Sequence, residues 1–369
     1  MKRKIGLLLL TVSLLLSGCG FSSGSYVSVT PHREQRQSQQ LDAVTVANYQ
    51  ELIEALKQVV SSGQESAVLY VPEYPADTVE TGVEVAIRYV KNSDPVGAYA
   101  VEDIQCELGS SGSVPALAVT VRYRRSQAEL RQIKDAKTMD DAEILVETAL
   151  ERFEAGIVIQ VAEYTERDLT QFVQDFAAAN PQTVMEVPQV TETVYGSGRS
   201  RVVELVFGYQ NSRDDLRKMQ SQVKPVFDSA VLYVSGDGAQ RQKYAQLYAF
   251  LMERFDYKVE TSLTPAYSLL RHGVGDSRAF ATVYAAMCRG ADLECLTVTG
   301  TCSGEPRTWN IVREGEQYYH VDLLRCSTLG GYNTFTDKQM EGYVWDYSAY
   351  PACVGAESGA PEAAEEETP

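Results

Sequence analysis

Positive charge is what this sequence is most short of: 33 lysines and arginines stand against 50 aspartates and glutamates in 369 residues, a formal net charge of −17. Such a surface repels phosphate backbones and anionic headgroups, so no nucleic-acid partner is expected. The chain also lacks an apolar run long enough to cross a bilayer. Its most apolar stretch, Ile5 to Leu16, has 12 residues where a spanning helix needs about 20. No C-x-x-C pair occurs among the seven cysteines, so the even steps from Cys288 to Cys295 to Cys302, which cross a predicted helix, strand and loop, do not read as a metal site. No metal and no cofactor is expected.

What is present begins with Lys2, Arg3 and Lys4 ahead of the apolar stretch and Leu16-Ser17-Gly18-Cys19 behind it. A basic start, a short apolar segment and small residues at its end describe a secretory signal over residues 1–18. Leu-Ser-Gly-Cys also resembles the bacterial lipoprotein lipobox, which implies cleavage before Cys19 and a diacylglycerol thioether on its sulfur. Two acyl chains suffice for stable anchoring. The expected place is the extracytoplasmic side of a cell membrane, with the membrane as a partner through Cys19; a secreted chain with a free Cys19 is the alternative. Cleavage would leave a net charge of about −20, because three cations go with the signal. Residues 19–41, rich in Ser, Gln and Gly, suit a flexible tether. Residues 354–369, with Glu362, Glu365, Glu366 and Glu367 among Ala, Gly and Pro, read as a disordered acidic tail.

Six cysteines follow Cys19, and an exported location permits disulfides in any of fifteen connectivities. Cys302, Cys326 and Cys353 fall in loop-like surroundings and are the expected partners. Cys288 and Cys295 fit core positions, where free Cys is common.

An internal repeat is visible when Asn92-Ser93-Asp94-Pro95 is set against Ala178-Ala179-Asn180-Pro181. The offset of 86 residues recurs from Tyr123 to Tyr209, Ser126 to Ser212 and Leu130 to Leu216. Each copy opens with a helical pattern, Leu52-Ile53-Ala55-Leu56-Val59 or Ile144-Leu145-Ala149-Leu150-Phe153. A short strand follows, Ala67–Val71 or Ile157–Ala162, then a second helix up to the proline. A strand through Tyr99–Cys106 or Val184–Val194 turns at Gly and Ser into a closing strand with alternating apolar residues. The spacing predicts two αβαββ modules, residues 42–134 and 135–222, with no charged cluster that suggests chemistry in either.

A third α+β domain, residues 223–353, follows. Its opening helix carries Tyr244, Leu247, Tyr248, Leu251 and Phe255 on one stripe. A second helix from Ser277 carries Phe280, Val283, Tyr284 and Met287. Three strands follow, Leu293–Gly300, Thr308–Arg313 and Gln317–Leu323, with a turn at Glu314-Gly315-Glu316. Along these elements lie Gly273-Val274-Gly275-Asp276-Ser277, then Arg307-Thr308-Trp309-Asn310, then Tyr319-His320-Val321-Asp322. Their order and spacing resemble the transglutaminase-like superfamily, a papain-like fold whose pattern reads Gly-Asp-Cys, His-Ala-Trp-Asn and Trp-Tyr-His-Val-Asp. Ala291-Asp292-Leu293-Glu294-Cys295 and Val298-Thr299-Gly300 fix the register from the middle. The resemblance implies catalytic positions at 277, 307 and 322, with Trp309, Asn310, His320 and His272 about the cleft.

Two of those three positions carry the wrong chemistry. A cysteine at a helix N-terminus is activated by the helix dipole and by an imidazole that takes its proton. Here the nucleophile position holds Ser277, and the base position holds Arg307, a guanidinium with five donors and no acceptor. Only Asp322 matches. Loss of nucleophile or base in a serine-protease triad slows the reaction on the order of a million-fold, roughly 8 kcal/mol. The bland expectations are a helix cap at Asp276 or Ser277 and an ion pair between Arg307 and Asp322. His320, two residues before Asp322, and His272, five before Ser277, are the candidates to rescue a serine nucleophile; Cys288, about 16 Å along the helix from position 277, is not. The expected function is peptide or protein binding, or scaffolding, by an inactive transglutaminase-like domain whose Arg307 meets a partner carboxylate. The rivals are an active protease, acyl transferase or serine hydrolase using Ser277, and a plain spacer.

Overall fold

The computed structural model describes residues 44–74, 78–234, 236, 238–259 and 262–355. The expected signal, Cys19, the tether and nearly all of the acidic tail lie outside them. Among the described residues no helix is long and apolar enough to cross a membrane.

The fold is α+β. The first sheet gathers β1 (Val44–Thr45), β2 (Ser66–Tyr70), β3 (Val101–Ser111) and β4 (Val114–Tyr123) in the order β1-β2-β4-β3, with β1 parallel to β2 and the rest antiparallel. Helices α1 (Tyr49–Ser62), α2 (Val79–Asn92) and α3 (Pro95–Ala100) accompany it. Asn48 starts α1 by accepting the Glu51 N–H, Leu52, Leu56, Val59 and Val60 bury one stripe, and Gly63 at φ 68° ends it. A capped turn, α4 (Gln127–Leu130), leads to β5 (Lys134–Ala136), α5 (Met139–Glu151), β6 (Gly156–Val161), α6 (Leu169–Ala179), β7 (Gln189–Tyr195) and β8 (Arg201–Gly208). This second sheet has the order β5-β6-β8-β7, again with its first pair parallel.

Each sheet thus has a leading parallel strand, β1 or β5, that the αβαββ reading omits. At two or three residues these strands are too short to show a period of two. Tyr99 also differs from expectation: it lies in α3, which Asp94 caps through the Gly97 N–H with Pro95 in the first turn, so β3 begins at Val101. In α5 the buried stripe is Met139, Ala142, Val146, Ala149 and Leu150, and Ile144 faces solvent. Positions 86 apart do share some roles: Ser126 caps α4 and Ser212 caps the next long helix, while Leu130 and Leu216 are both buried.

That helix, α7 (Arg213–Tyr233), runs unbroken across Val223 into the third region. There follow α8 (Gln240–Met252), β9 (Asp256–Tyr257), α9 (Pro265–His272), β10 (Val274–Gly275), α10 (Ser277–Gly290), β11 (Cys295–Cys302), β12 (Glu305–Glu314), β13 (Gln317–Val321), α11 (Leu323–Thr328) and β14 (Tyr343–Val344). The sheet order is β13-β12-β11-β14, all antiparallel, with α10 packed on β11 and β12. Phe280, Val283, Tyr284 and Met287 of α10 join Trp309, Ile311 and Val298 in one core.

The expected disulfides are absent: all six cysteines among the described residues are free. Cys302 is on a strand, and Cys326 is buried in α11 with Asn333 O 3.1 Å from its sulfur. Burial pushes the Cys326 thiol up to about 11 and the Cys353 thiol up to about 12.

β14 reaches the sheet because position 300 has no side chain. A Cβ on Gly300 would run into the Val344 carbonyl and lie 2.9 Å from the Trp309 ring. Gly300→Ala is expected to cost about 1–3 kcal/mol in urea unfolding, while Gly109→Ala, where nothing lies within 4 Å, should be within about 0.5 kcal/mol of wild type. Equal effects would show that β14 does not need the close approach.

Candidate active site

Gly273, at φ 80°, ends α9, and β10 then pairs with β9 and aims the chain into α10. The cap is Asp276, whose Oδ1 accepts the Ala279 N–H at 2.8 Å, so Ser277 is the first helical residue and its hydroxyl is not used for capping. Instead the Ser277 Oγ accepts the Thr308 backbone N–H at 3.2 Å. The helix N-terminus therefore sits against β12 beside position 307, as the sequence register requires.

Asp322 ends β13 and caps α11, accepting the Leu324 and Arg325 N–H groups at 3.0 and 3.2 Å. Arg307 donates from Nε and Nη2 to its two oxygens, both at 2.8 Å, and the Tyr343 hydroxyl donates at 2.6 Å. One carboxylate thus accepts five hydrogen bonds at 1 % side-chain exposure, facing a guanidinium at 19 %. Burial opposes the charge on Arg307, but the hydrogen bonds and charge of Asp322 outweigh it and hold the guanidinium above its ordinary pKa. It is an anchor for the carboxylate and can never take a proton. Burial, helped by the Asp322 hydrogen bond, likewise raises the Tyr343 hydroxyl. Tyr343 had no sequence signal for this role, because nothing in a two-residue strand 21 positions on marks a donor to Asp322.

Neither histidine is hydrogen-bonded to Ser277 among the described residues. His272 ends α9 in an exposed position, with its ring edge-on to Tyr267 at 5.3 Å. His320 is fully buried and already engaged at both nitrogens: Nδ1 accepts the Trp309 Nε1–H at 3.0 Å and Nε2 lies 2.8 Å from Asp337 Oδ1. The Trp309 donor fixes the lone pair at Nδ1, so the neutral ring carries its proton at Nε2 and gives it to Asp337. That tautomer also bears on His320, Asp337 and Cys353, whose ligand atoms all lie within 4.8 Å of one another. A cation at Nε2 would need a lone pair where the proton is, and a proton at Nδ1 where Trp309 already donates. These three residues tie the closing segment to β13 instead, since Asp337 Oδ2 also accepts the Cys353 N–H at 3.0 Å.

Nor do three of the four expected cleft residues border a cleft. Trp309, Asn310 and His320 are each 0 % exposed. Trp309 packs edge-on against Tyr343 and Trp345, and Asn310 Nδ2 ties Ala281 O of α10 to Leu296 O of β11. The alternating faces of β12 put Trp309 and Arg307 on the same side, but only the long Arg307 side chain extends to the surface.

Two outcomes follow. Removing Arg307 leaves a buried, uncompensated carboxylate, so Arg307→Ala should lose about 3–5 kcal/mol in urea unfolding, whereas an exposed pair such as Lys224 and Asp228 should give under about 1 kcal/mol. For His320, burial lowers the pKa against a smaller upward pull from Asp337. The unfolded chain then binds the proton first, and stability must fall as pH drops below the ordinary histidine value of about 6.5, with a slope of up to about 1.4 kcal/mol per pH unit. His320→Gln should flatten the stability curve between pH 6.5 and 5.5, and an unchanged slope would show that His320 is not the titrating group.

The sequence profile described as the transglutaminase-like superfamily matches residues 229–348. Solved structures similar to this chain include a TGase, at 9 % identity over 56 % of this chain and 60 % of that one with a TM-score of 0.26. A Cytophaga hutchinsonii protein provisionally named a cysteine protease aligns at 16 % identity over 40 % of this chain and 65 % of its own, TM-score 0.26. A Parabacteroides distasonis protein provisionally named a protease aligns at 9 % over 69 % and 39 %, TM-score 0.23. The chain therefore spans less than two thirds of the length of each. No curated protein matches. With its α10 helix end against β12 and Asp322 following β13, the region at 229–348 is a transglutaminase-like domain of α+β fold.

Proposed function

We propose that the transglutaminase-like domain of this chain is a binding domain without acyl-transfer activity, held at the extracytoplasmic face of a membrane by lipid on Cys19. The observation that carries the reading is the double hydrogen bond from Arg307 to Asp322: the group in the base position neutralises the carboxylate and has no acceptor for a proton. Ser277 Oγ accepts a backbone N–H and is hydrogen-bonded to no imidazole among the described residues, so no base is there to take its proton. The ligand side is argued from what Arg307 keeps free. Its Nη1 has no hydrogen-bond partner among the described residues, and Tyr257, 47 % exposed, contributes to its electrostatic surroundings. A carboxylate on a peptide or protein would meet a charge-assisted donor there.

The test uses purified chain and two probes. A serine-directed phosphonate should leave Ser277 unlabelled; labelling that disappears in Ser277→Ala would establish an active serine enzyme and end the proposal. The double variant Ser277→Cys/Arg307→His should become reactive to iodoacetamide at position 277 near pH 6, because helix terminus and carboxylate are in place and only the two side chains are missing. No gain of labelling in a folded double variant would show that the frame, too, has been lost.

A further inference from the structure

The transglutaminase-like domain shares its core with the module that precedes it. The sequence profile begins at residue 229, yet Phe153, Met185 and Leu216 of the second module belong to the same buried cluster as Leu247, Val283 and Trp309. Tyr209 packs against that cluster and against the second module's own core, its ring edge-on to Phe153 at 6.1 Å. Arg289, in the last turn of α10, donates from Nη2 to the carbonyl of Ala179, the last residue of α6.

Phe153 is held there against its own backbone. It stands at φ 52° just beyond α5, with its N–H on Leu150 O and the Glu154 N–H on Ala149 O. The first module ends α1 in the same way, but with Gly63 at φ 68°, whose N–H is on Val60 O while that of Gln64 is on Val59 O. Each residue stands three positions before a strand, β2 or β6. Glycine adopts this left-handed conformation freely, whereas a bulky side chain is strained in it and persists only where its surroundings hold it. What holds Phe153 is its ring, 2 % exposed within the cluster of the transglutaminase-like domain. Met185 and Leu216 lie 86 residues after Tyr99 and Leu130, which cluster with Val202 of the second module. The same corner of the module thus serves twice, once between the modules and once against the transglutaminase-like domain.

We infer that the corner formed by Phe153, Met185, Tyr209 and Leu216 is a docking surface whose partner is the transglutaminase-like domain of the same chain, and that this domain does not fold without it. Domains of one chain move against each other unless the surface between them is large and apolar. Here the apolar cluster is continuous across the boundary, and α7 crosses it without a break. The cooperative unit therefore begins near residue 135, and the second module is a part of the domain's core.

Thermal unfolding of the full chain tests this, because its two tryptophans, Trp309 and Trp345, both lie in the transglutaminase-like domain and report on it alone, while circular dichroism reports on every helix and strand. Phe153→Gly removes the backbone strain together with the ring. The tryptophan midpoint should fall by about 5–10 °C; an unchanged or higher midpoint would overturn the inference, since relief of strain would then be the whole effect. Leu205→Ala opens a cavity in the second module's own core, at a residue that is buried and outside the shared cluster. It should lower the tryptophan and circular dichroism midpoints together, as one cooperative unit requires. An early circular dichroism transition that leaves the tryptophan midpoint at its wild-type value would show two units that fold independently, and would overturn the inference whatever Phe153→Gly does.

Discussion

The Asp322 carboxylate holds the transglutaminase-like domain together at the place where such a domain would do its chemistry. Donors reach it from Arg307 on β12, from Tyr343 on β14 and from the first turn of α11, so one buried charge joins three elements that sequence separates by up to 36 residues. β14 depends on it most. That strand pairs with β11 at only two positions, Thr301 with Val344 and Cys302 with Tyr343, too few for a ladder to hold alone. The Tyr343 hydroxyl on Asp322, the Gly300 notch and the bonds of Asp337 to His320 and Cys353 make up the difference.

The same saturation settles what the carboxylate can do. In a catalytic triad its task is to orient an imidazole and to stabilise the charge that forms there. With all five donors in place it already faces a permanent cation, and its lone pairs are directed at a guanidinium, two backbone N–H groups and the Tyr343 hydroxyl, none of them an imidazole. His320 is likewise taken: Trp309 and Asp337 occupy both its nitrogens and fix its proton at Nε2. Each candidate acid–base group is committed to a partner, while the elements that carry them stand where the register puts them.

Much of this could be read from the chain before its fold. The register between Ala291 and Gly300 placed positions 277, 307 and 322 without a structure, and the meeting of Arg307 with Asp322 was the bland expectation for an arginine facing a buried acid. What escaped has physical reasons. β1, β5 and β14 are too short to carry a period, and Tyr99 falls in a six-residue helix that reads equally well as strand. Trp309, Asn310 and His320 were placed in a cleft because motif residues suggest function, but a strand buried on both faces reads the same as one that borders a groove. The cysteines misled through loop-like neighbours, although Cys326 and Cys353 are as buried as any core residue.

An intact motif acid is often taken as a sign of retained activity, and the energetics here argue otherwise. Once Asp322 is buried among backbone N–H groups and Tyr343, it cannot be left without a cation, since an uncompensated buried charge costs several kcal/mol. A neutral apolar residue at position 307 would impose that cost. Arginine avoids it, because its planar fork meets both oxygens at once and its charge does not depend on pH. Stability alone therefore suffices to keep Asp322 and to favour Arg307 beside it. A sequence profile responds to that frame, to the Trp309 core and to the α10 packing, and so matches the domain with Ser at 277 and Arg at 307. The packing around Asp322 holds the fold whichever side chains stand at 277 and 307, so the fold alone does not decide the activity.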